Sequence, residues 1–166
     1  MSKLIILRGN SGSGKSTVAL ELAKGSTHKI AIIDADHYRV HMLFPQGENK
    51  SDLAALMSHN VLYCLEHGYT VIWDSIFYAN ERNRVYLGNF LEKLHPQDNF
   101  IFNFDVSFEE TARRHNLRAK KDSFSVEQMR EWYHPIEKLG YDFEYDIPES
   151  NSLEQTIHFI KDAAGI

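Results

Sequence analysis

Residues 9–17 read Gly9-Asn10-Ser11-Gly12-Ser13-Gly14-Lys15-Ser16-Thr17, and their spacing is G-x-x-x-x-G-K-[ST]. Glycines at such positions let the backbone turn sharply and approach a polyphosphate without a Cβ in the way. Successive N–H groups and a helix N-terminus then face the anion. In that arrangement Lys15 reaches the β- and γ-phosphates and the Ser16 hydroxyl serves Mg²⁺. A second group of interest is Asp34-Ala35-Asp36-His37-Tyr38-Arg39. Transfer of a phosphoryl group to an alcohol needs one side chain to orient the hydroxyl and take its proton, and Asp36 has the chemistry for it. Aspartate also caps helices well, so Asp36 is read as a general base, a helix cap, or both. A third group, Arg113, Arg114, Arg118, Lys120 and Lys121, places five cations within nine residues. Arg114 and Arg118 stand four apart and share one helix face. Planar guanidinium groups suit phosphate oxygens; the alternative is a solvated charged face.

These residues need elements to hold them. The apolar run Leu4-Ile5-Ile6-Leu7 before the loop predicts a buried strand, and residues 18–24 after it predict a helix closing at Gly25. Further runs at 29–34, 70–74 and 99–105 each finish on an aspartate, Asp34, Asp74 and Asp105, and a weaker run at 142–147 is stopped by Pro148. Between them, Leu53, Leu56, Met57, Val61, Cys64 and Leu65 repeat at helical spacing up to Gly68, with Ser51 or Asp52 as cap. A further helix is predicted over 81–94, with Val85, Leu87, Phe90, Leu91 and Leu94 as its apolar side. Ser107 to Glu110, Ser125 to Gln128 and Ser152 to Gln155 spell capping boxes that open three more helices, the first running to about Arg118. Alternating strands and helices predict a three-layer α/β fold of the P-loop NTPase type. It has a five-stranded parallel sheet with helices on both faces, and the cation-rich stretch between two capping boxes is expected to form a small lid over about 113–125. Ligands of such sheets sit at the carboxyl ends of the strands, where the terminal aspartates fall.

A length of 166 residues suits one domain spanning 1–166. A hydrophobic share of 43 % and a charged share of 25 % are those of an ordinary globular chain, and no apolar run reaches the length of a membrane span. The single cysteine, Cys64, rules out an internal disulfide and suits a reducing cytosol, so a cytoplasmic location is expected. A net charge of −5 disfavours a surface that grips nucleic acid as a whole, though not a local basic groove.

Asp36-x-x-Arg39 after the second strand resembles the small P-loop kinases related to bacteriophage polynucleotide kinase, chloramphenicol phosphotransferase and zeta-type toxins. The likeness to the phage kinase domain continues through Val71-Ile72-Trp73-Asp74-Ser75, Asn80-Glu81-Arg82, Phe104-Asp105-Val106, Arg113 to Arg118 and Val126 to Tyr133. The resemblance implies an ATP- and Mg²⁺-dependent kinase. In it Asp36 is the general base, Arg39 contacts the acceptor, Arg118 is the lid arginine on the transferring phosphate, Arg114 is a second nucleotide contact, and Asp74 lies near Mg²⁺ or its waters. The acceptor is read as a hydroxyl of a small or nucleotide-like molecule, with a polynucleotide 5′-hydroxyl as the alternative. A protein that binds or hydrolyses ATP without transfer is the second alternative.

Asn49-Lys50-Ser51-Asp52 spells a guanine-recognition motif but follows no apolar strand, and it is read as a helix start. His37 and His41, four apart, are read as lining the acceptor pocket rather than binding zinc. Arg39, Met42, Phe44, Tyr78, Tyr133 and His134 are candidates for its walls, with core packing as the alternative for the aromatic ones. If residues 9–17 hold a nucleotide, Lys15→Ala abolishes the rise in melting temperature that ATP produces in the parent protein; retained stabilisation would overturn the assignment.

Overall fold

The computed structural model describes residues 2–43, 50–117 and 124–166. Arg118, Lys120 and Lys121 of the cation-rich stretch, Phe44 and Asn49 lie outside the described residues. Five parallel strands, β1 (Leu4–Arg8), β2 (Ile30–Asp34), β3 (Thr70–Ser75), β4 (Asn99–Asp105) and β5 (Glu144–Pro148), form one sheet in the order β2-β3-β1-β4-β5. The register aligns Leu7 with Asp74 and Asp34 with Asp74, so the aspartates ending β2 and β3 stand side by side. The phosphate loop leaves the central strand, which places it midway along the carboxyl edge.

Central strands of a parallel sheet are covered on both faces, and β1 is buried along its whole length. Alternation divides its side chains. Leu4 and Ile6 pack with Met57 and Val61 of α3 (Lys50–Glu66) and with Leu87, Phe90 and Leu91 of α4 (Glu81–Leu91). Ile5 and Leu7 pack on the opposite face with Val18, Ala19 and Leu22 of α1 (Lys15–Lys24) and with Ile160 and Ala164 of α7 (Leu153–Ala164). The three-layer arrangement expected from the sequence is the one observed.

Several local expectations shift. α1 begins at Lys15 rather than at residue 18, because Gly14, at φ +104°, turns the loop directly into the helix. Ser51 and Asp52 lie inside the first turn of α3, which starts at Lys50, and so do not cap it. Val85 is 56 % exposed. It stands two residues from Leu87 and therefore about 200° round the helix from the Leu87–Phe90–Leu91 stripe. Pro148 ends β5 from within, as an edge strand permits, since the missing N–H faces no neighbour. Cys64 is half-buried against the α3–α4 core, and burial pushes its thiol above the ordinary value.

One ion pair lies inside this framework. Arg8 and Glu144 are almost wholly buried and meet at 3.4 Å, whereas Lys138 and Asp146 pair at 3.0 Å on the surface. Removing one member of a buried pair strands its partner's charge, while an exposed pair contributes little. Glu144→Ala should therefore lower unfolding free energy by about 3–5 kcal/mol in urea titrations. Lys138→Ala should cost about 0–1 kcal/mol.

Candidate active site

The cradle is built outward from the loop. Lys15 is buried, and its ammonium donates to Gly9 O at 2.8 Å, Asn10 O at 2.9 Å and Ser13 Oγ at 3.3 Å. Gly12, at φ +89°, lies against α5 (Phe108–Asn116) so closely that a Cβ would stand 2.8 Å from Thr111 O. No other residue fits there without displacing backbone. Ser16, at the start of α1, donates its hydroxyl to Asp74 Oδ2 at 2.5 Å. Asp74 is 4 % exposed. Burial pushes its carboxyl above the ordinary value, Lys15 and the Ser16 hydroxyl oppose that, and Asp34 and Asp36 add to it. Two hard oxygen donors thus sit together beside the loop, the donor set Mg²⁺ takes when it also keeps waters and phosphate oxygens. Among the described residues no group of three or more His, Cys, Asp and Glu side chains could hold a metal, and His37 and His41 face one another as a tilted ring pair at 5.2 Å.

The helix cap after β2 is Asp34, not Asp36. Asp34 Oδ1 accepts the Asp36 N–H at 2.8 Å, opening α2 (Ala35–His37), which runs on as a π-helical turn over Tyr38–Met42. Asp36 is thereby spared capping. Its exposed carboxylate accepts from Arg39 Nη2 at 2.8 Å, so the two residues of the Asp-x-x-Arg pattern engage each other.

α5 brings the arginines. Ser107 caps it, accepting from Glu110 N at 3.3 Å, but the expected reciprocal half of the box is replaced: Ser107 N donates to Glu149 Oε2 at 2.8 Å instead. Glu110 turns to the arginines, accepting from Arg113 Nε and from Arg114 Nε at 2.6 Å each. These two guanidinium groups hold its carboxyl at about 2. Arg114 then reaches across to the loop, donating from Nη1 to Ser13 O at 2.8 Å and from Nη2 to Glu149 O at 3.1 Å. Arg113 stays on the exposed side of the helix.

The opposite wall follows α6 (Val126–Trp132), whose capping box of Ser125 and Gln128 is complete. Asn10 clamps the next stretch in both directions, Nδ2 donating to His134 O at 2.7 Å and Oδ1 accepting from His134 N at 3.1 Å. Tyr78, beyond β3, donates its hydroxyl to Trp132 O at 2.5 Å, and its ring meets His134 edge-on at 4.7 Å. Arg8 anchors the remainder: Nε donates to Phe77 O at 2.9 Å and Nη1 to Asn103 Oδ1 and Glu137 O at 2.8 Å each. Arg84 Nη2 donates to Lys138 O at 2.7 Å, and Arg84 Nη1 to Leu139 O. Residues 133–139, with no regular structure, are in this way tied through their backbone to the phosphate loop, to β1 and to α4.

These walls enclose about 570 Å³. Asn10, Ser11, Gly12, Gly14, Lys15 and Ser16 line it from the loop, Asp34, Asp36 and Arg39 from the β2 side, and Asp74 from β3. Gly9, Ser13, Thr17 and Arg114 stand outside the lining, as do His37, His41 and Met42, all expected on the acceptor wall, and Asp105, which is exposed at the end of β4. Tyr78, Tyr133 and His134 are on the wall as the sequence suggested. Trp132, Phe124, Met129 and Ile76 join them without having been singled out. Only adjacency marked them: Trp132, Phe124 and Met129 lie next to Tyr133-His134 or the α6 capping box, and Ile76 follows the run that ends at Asp74-Ser75.

The AAA domain family model matches residues 4–136 of the chain. No curated protein matches it in sequence. Among solved structures, the Mycobacterium tuberculosis APS kinase in complex with AMPPNP and APS superposes with a TM-score of 0.72 at 16 % identity, over 99 % of this chain and 98 % of that one. A gluconokinase from Sinorhizobium meliloti 1021 gives 0.64 at 16 % identity, over 98 % and 91 %. A chain of the Pnkp1/Rnl/Hen1 RNA repair complex gives 0.58 at 18 % identity, over 81 % of this chain and 47 % of that one. Identities this low carry the fold alone.

Because its value is raised in the folded protein, Asp74 holds a proton more tightly there than in the unfolded chain. Its contribution to stability is fully present below the ordinary carboxylate range and is lost as pH rises through the raised value. Asp74→Asn, which cannot ionise, should accordingly melt higher than the parent at pH 8 without nucleotide. The difference should shrink toward pH 4 in the same thermal scan.

Proposed function

The chain belongs to the AAA domain family, and on that premise we propose that it is an ATP- and Mg²⁺-dependent phosphotransferase acting on an alcohol. The observation that carries the reading is one cavity shared by the phosphate loop and two carboxylates, Asp36 and Asp74, that differ in setting. Asp74 is buried against Ser16, whereas Asp36 is exposed beyond the loop. One environment suits a charge-bearing oxygen beside phosphates, and the other suits a base that meets an incoming hydroxyl. Kinases among the solved structures of like fold, one of them holding AMPPNP and APS, support the same reading.

In this reading the loop N–H groups and Lys15 hold the β- and γ-phosphates. Ser16 and Asp74 would hold Mg²⁺, which neutralises charge on the phosphate oxygens when bound. Asp36 orients the acceptor hydroxyl and takes its proton as the oxygen bonds to the γ-phosphorus. The bond from that phosphorus to the bridging oxygen breaks, and ADP leaves with the electron pair. Arg114, bonded to the loop at Ser13 O, would be a second contact to the nucleotide. Arg118 is the arginine assigned to the transferring group, and Arg39 to the acceptor. The acceptor is a small or nucleotide-like molecule. A polynucleotide 5′-hydroxyl is the second reading, favoured by the resemblance at Asp36-x-x-Arg39 and the likeness to a chain of an RNA repair complex.

An acceptor screen with labelled ATP, run on the parent and on Asp36→Asn, tests the proposal. The variant should keep ATP-dependent thermal stabilisation and lose about 10²–10⁴-fold in turnover of the acceptor found. Unchanged turnover would remove Asp36 from the chemistry. ATP hydrolysis with no transfer to any acceptor would leave a nucleotide-binding protein instead.

A further inference from the structure

The cavity has two unlike halves. On the phosphate side the lining is backbone, small side chains and Lys15. On the far side it is aromatic and acidic. Trp132 is 45 % exposed, against full burial for the chain's other tryptophan, Trp73. A lone exposed apolar side chain is ordinary on a protein surface. Trp132 differs in being walled into a cavity, with the Phe124 ring tilted against it at 5.5 Å. Its backbone carbonyl is held by the Tyr78 hydroxyl at 2.5 Å, and the next stretch is clamped by Asn10. The backbone that carries the indole is thus held before any ligand arrives, which reduces the ordering entropy lost when a flat ring covers it.

The charges point the same way. Among the described lining residues the carboxylates are Asp34, Asp36, Asp74 and Glu131, and the cations are Lys15 and Arg39. Lys15 is turned into the loop, bonded to Gly9 O and Asn10 O, and Arg39 is matched by Asp36 at 2.8 Å. A phosphate-bearing acceptor lying across this half would meet more carboxylates than cations, which penalises it relative to an uncharged one.

We infer that the acceptor half takes an uncharged alcohol carrying a flat aromatic ring, the ring resting on Trp132 and the hydroxyl directed to Asp36. This rests on the phosphotransferase reading for the transfer step, but not for the binding step. In the transfer the alcohol oxygen gains the γ-phosphoryl group, its proton passes to the Asp36 carboxylate, and ADP departs.

Binding and transfer are measured separately on the full chain. Acrylamide quenching reads Trp132, since Trp73 is buried, with Mg²⁺ and a non-hydrolysable ATP analogue present. The probes are adenosine and 2-phenylethanol, against gluconate and a 5′-hydroxyl oligonucleotide. A ring-bearing alcohol should shield Trp132 and accept phosphate from ATP. Trp132→Ala should then raise its KM by about 10-fold or more while the KM for ATP moves less than about 2-fold. Trp132→Phe, which keeps a flat ring, should recover most of the loss. Phosphate transfer to gluconate or the oligonucleotide in preference to both ring-bearing alcohols overturns the inference. So does a KM for the ring-bearing alcohol that ignores Trp132→Ala, or the absence of both shielding and transfer. Shielding without transfer to any probe upholds the ligand class and counts against the phosphotransferase reading instead.

Discussion

A guanidinium with almost no access to water lies at the root of the phosphate loop, and much of the molecule is arranged around keeping it solvated by protein. Arg8 is the last residue of β1 and the one before Gly9. Burial lowers its affinity for the proton, and the charges of Glu144 and Asp146 oppose that. Carbonyls of Phe77 and Glu137 and the Asn103 side chain take up its Nε and Nη1, while the buried Nη2 has no hydrogen-bond partner. Glu144 in turn accepts the N–H groups of Leu139, Gly140 and Tyr141. One charge therefore joins the central strand, its neighbour β4, the segment just after β3, the edge strand β5 and the irregular segment over the cavity. Desolvation makes such a cluster expensive, and the directed bonds to Nε and Nη1, together with the facing Glu144 carboxylate, are what hold it in one geometry. The loop inherits that geometry because it starts one residue later.

The two halves of the cavity are held in different ways. The phosphate half is held by cations lying on carbonyls of the loop itself, Lys15 on Gly9 and Asn10, Arg114 on Ser13. The aromatic half is held by its own backbone, through Asn10, Tyr78 and Arg84. Asn10 belongs to both, as a loop residue whose side chain grips the opposite wall.

What the sequence displayed and what it hid follow from range. Strand runs, the glycine–lysine loop and the Ser125 and Ser152 capping boxes are local patterns, and each appears in the structure close to where it was read, the weak last run shifting from 142–147 to Glu144–Pro148. The Ser107 box was half right. Its serine caps, but the competing attraction of Arg113 and Arg114 for Glu110 is also local, and the carboxylate that replaces it comes from Glu149, 42 positions away. Asp36 as a cap lost to Asp34 because the residue ending the strand already has the extended conformation a cap requires. Arg8 showed nothing at all, since an arginine after four apolar residues reads as the end of a strand. Its partners are at least 69 positions off. Trp132 was hidden differently: a tryptophan in a chain with ten phenylalanines and eight tyrosines looks like core until the wall is seen.

The substitution at the head of α5 has a mechanical side. The helix that carries Arg114 is fastened at its first turn to Glu149, and Arg114 itself bonds the carbonyl of that same residue. The turn between β5 and α7 is thus a common hinge pin. Were it displaced, α5 would lose the partner of its capping residue and Arg114 one of its supports in the same stroke. Local melting of this helix and release of its grip on Ser13 are consequently not independent events; they form a single cooperative unit whose weakest link lies at the surface, outside the sheet edge where the loop sits.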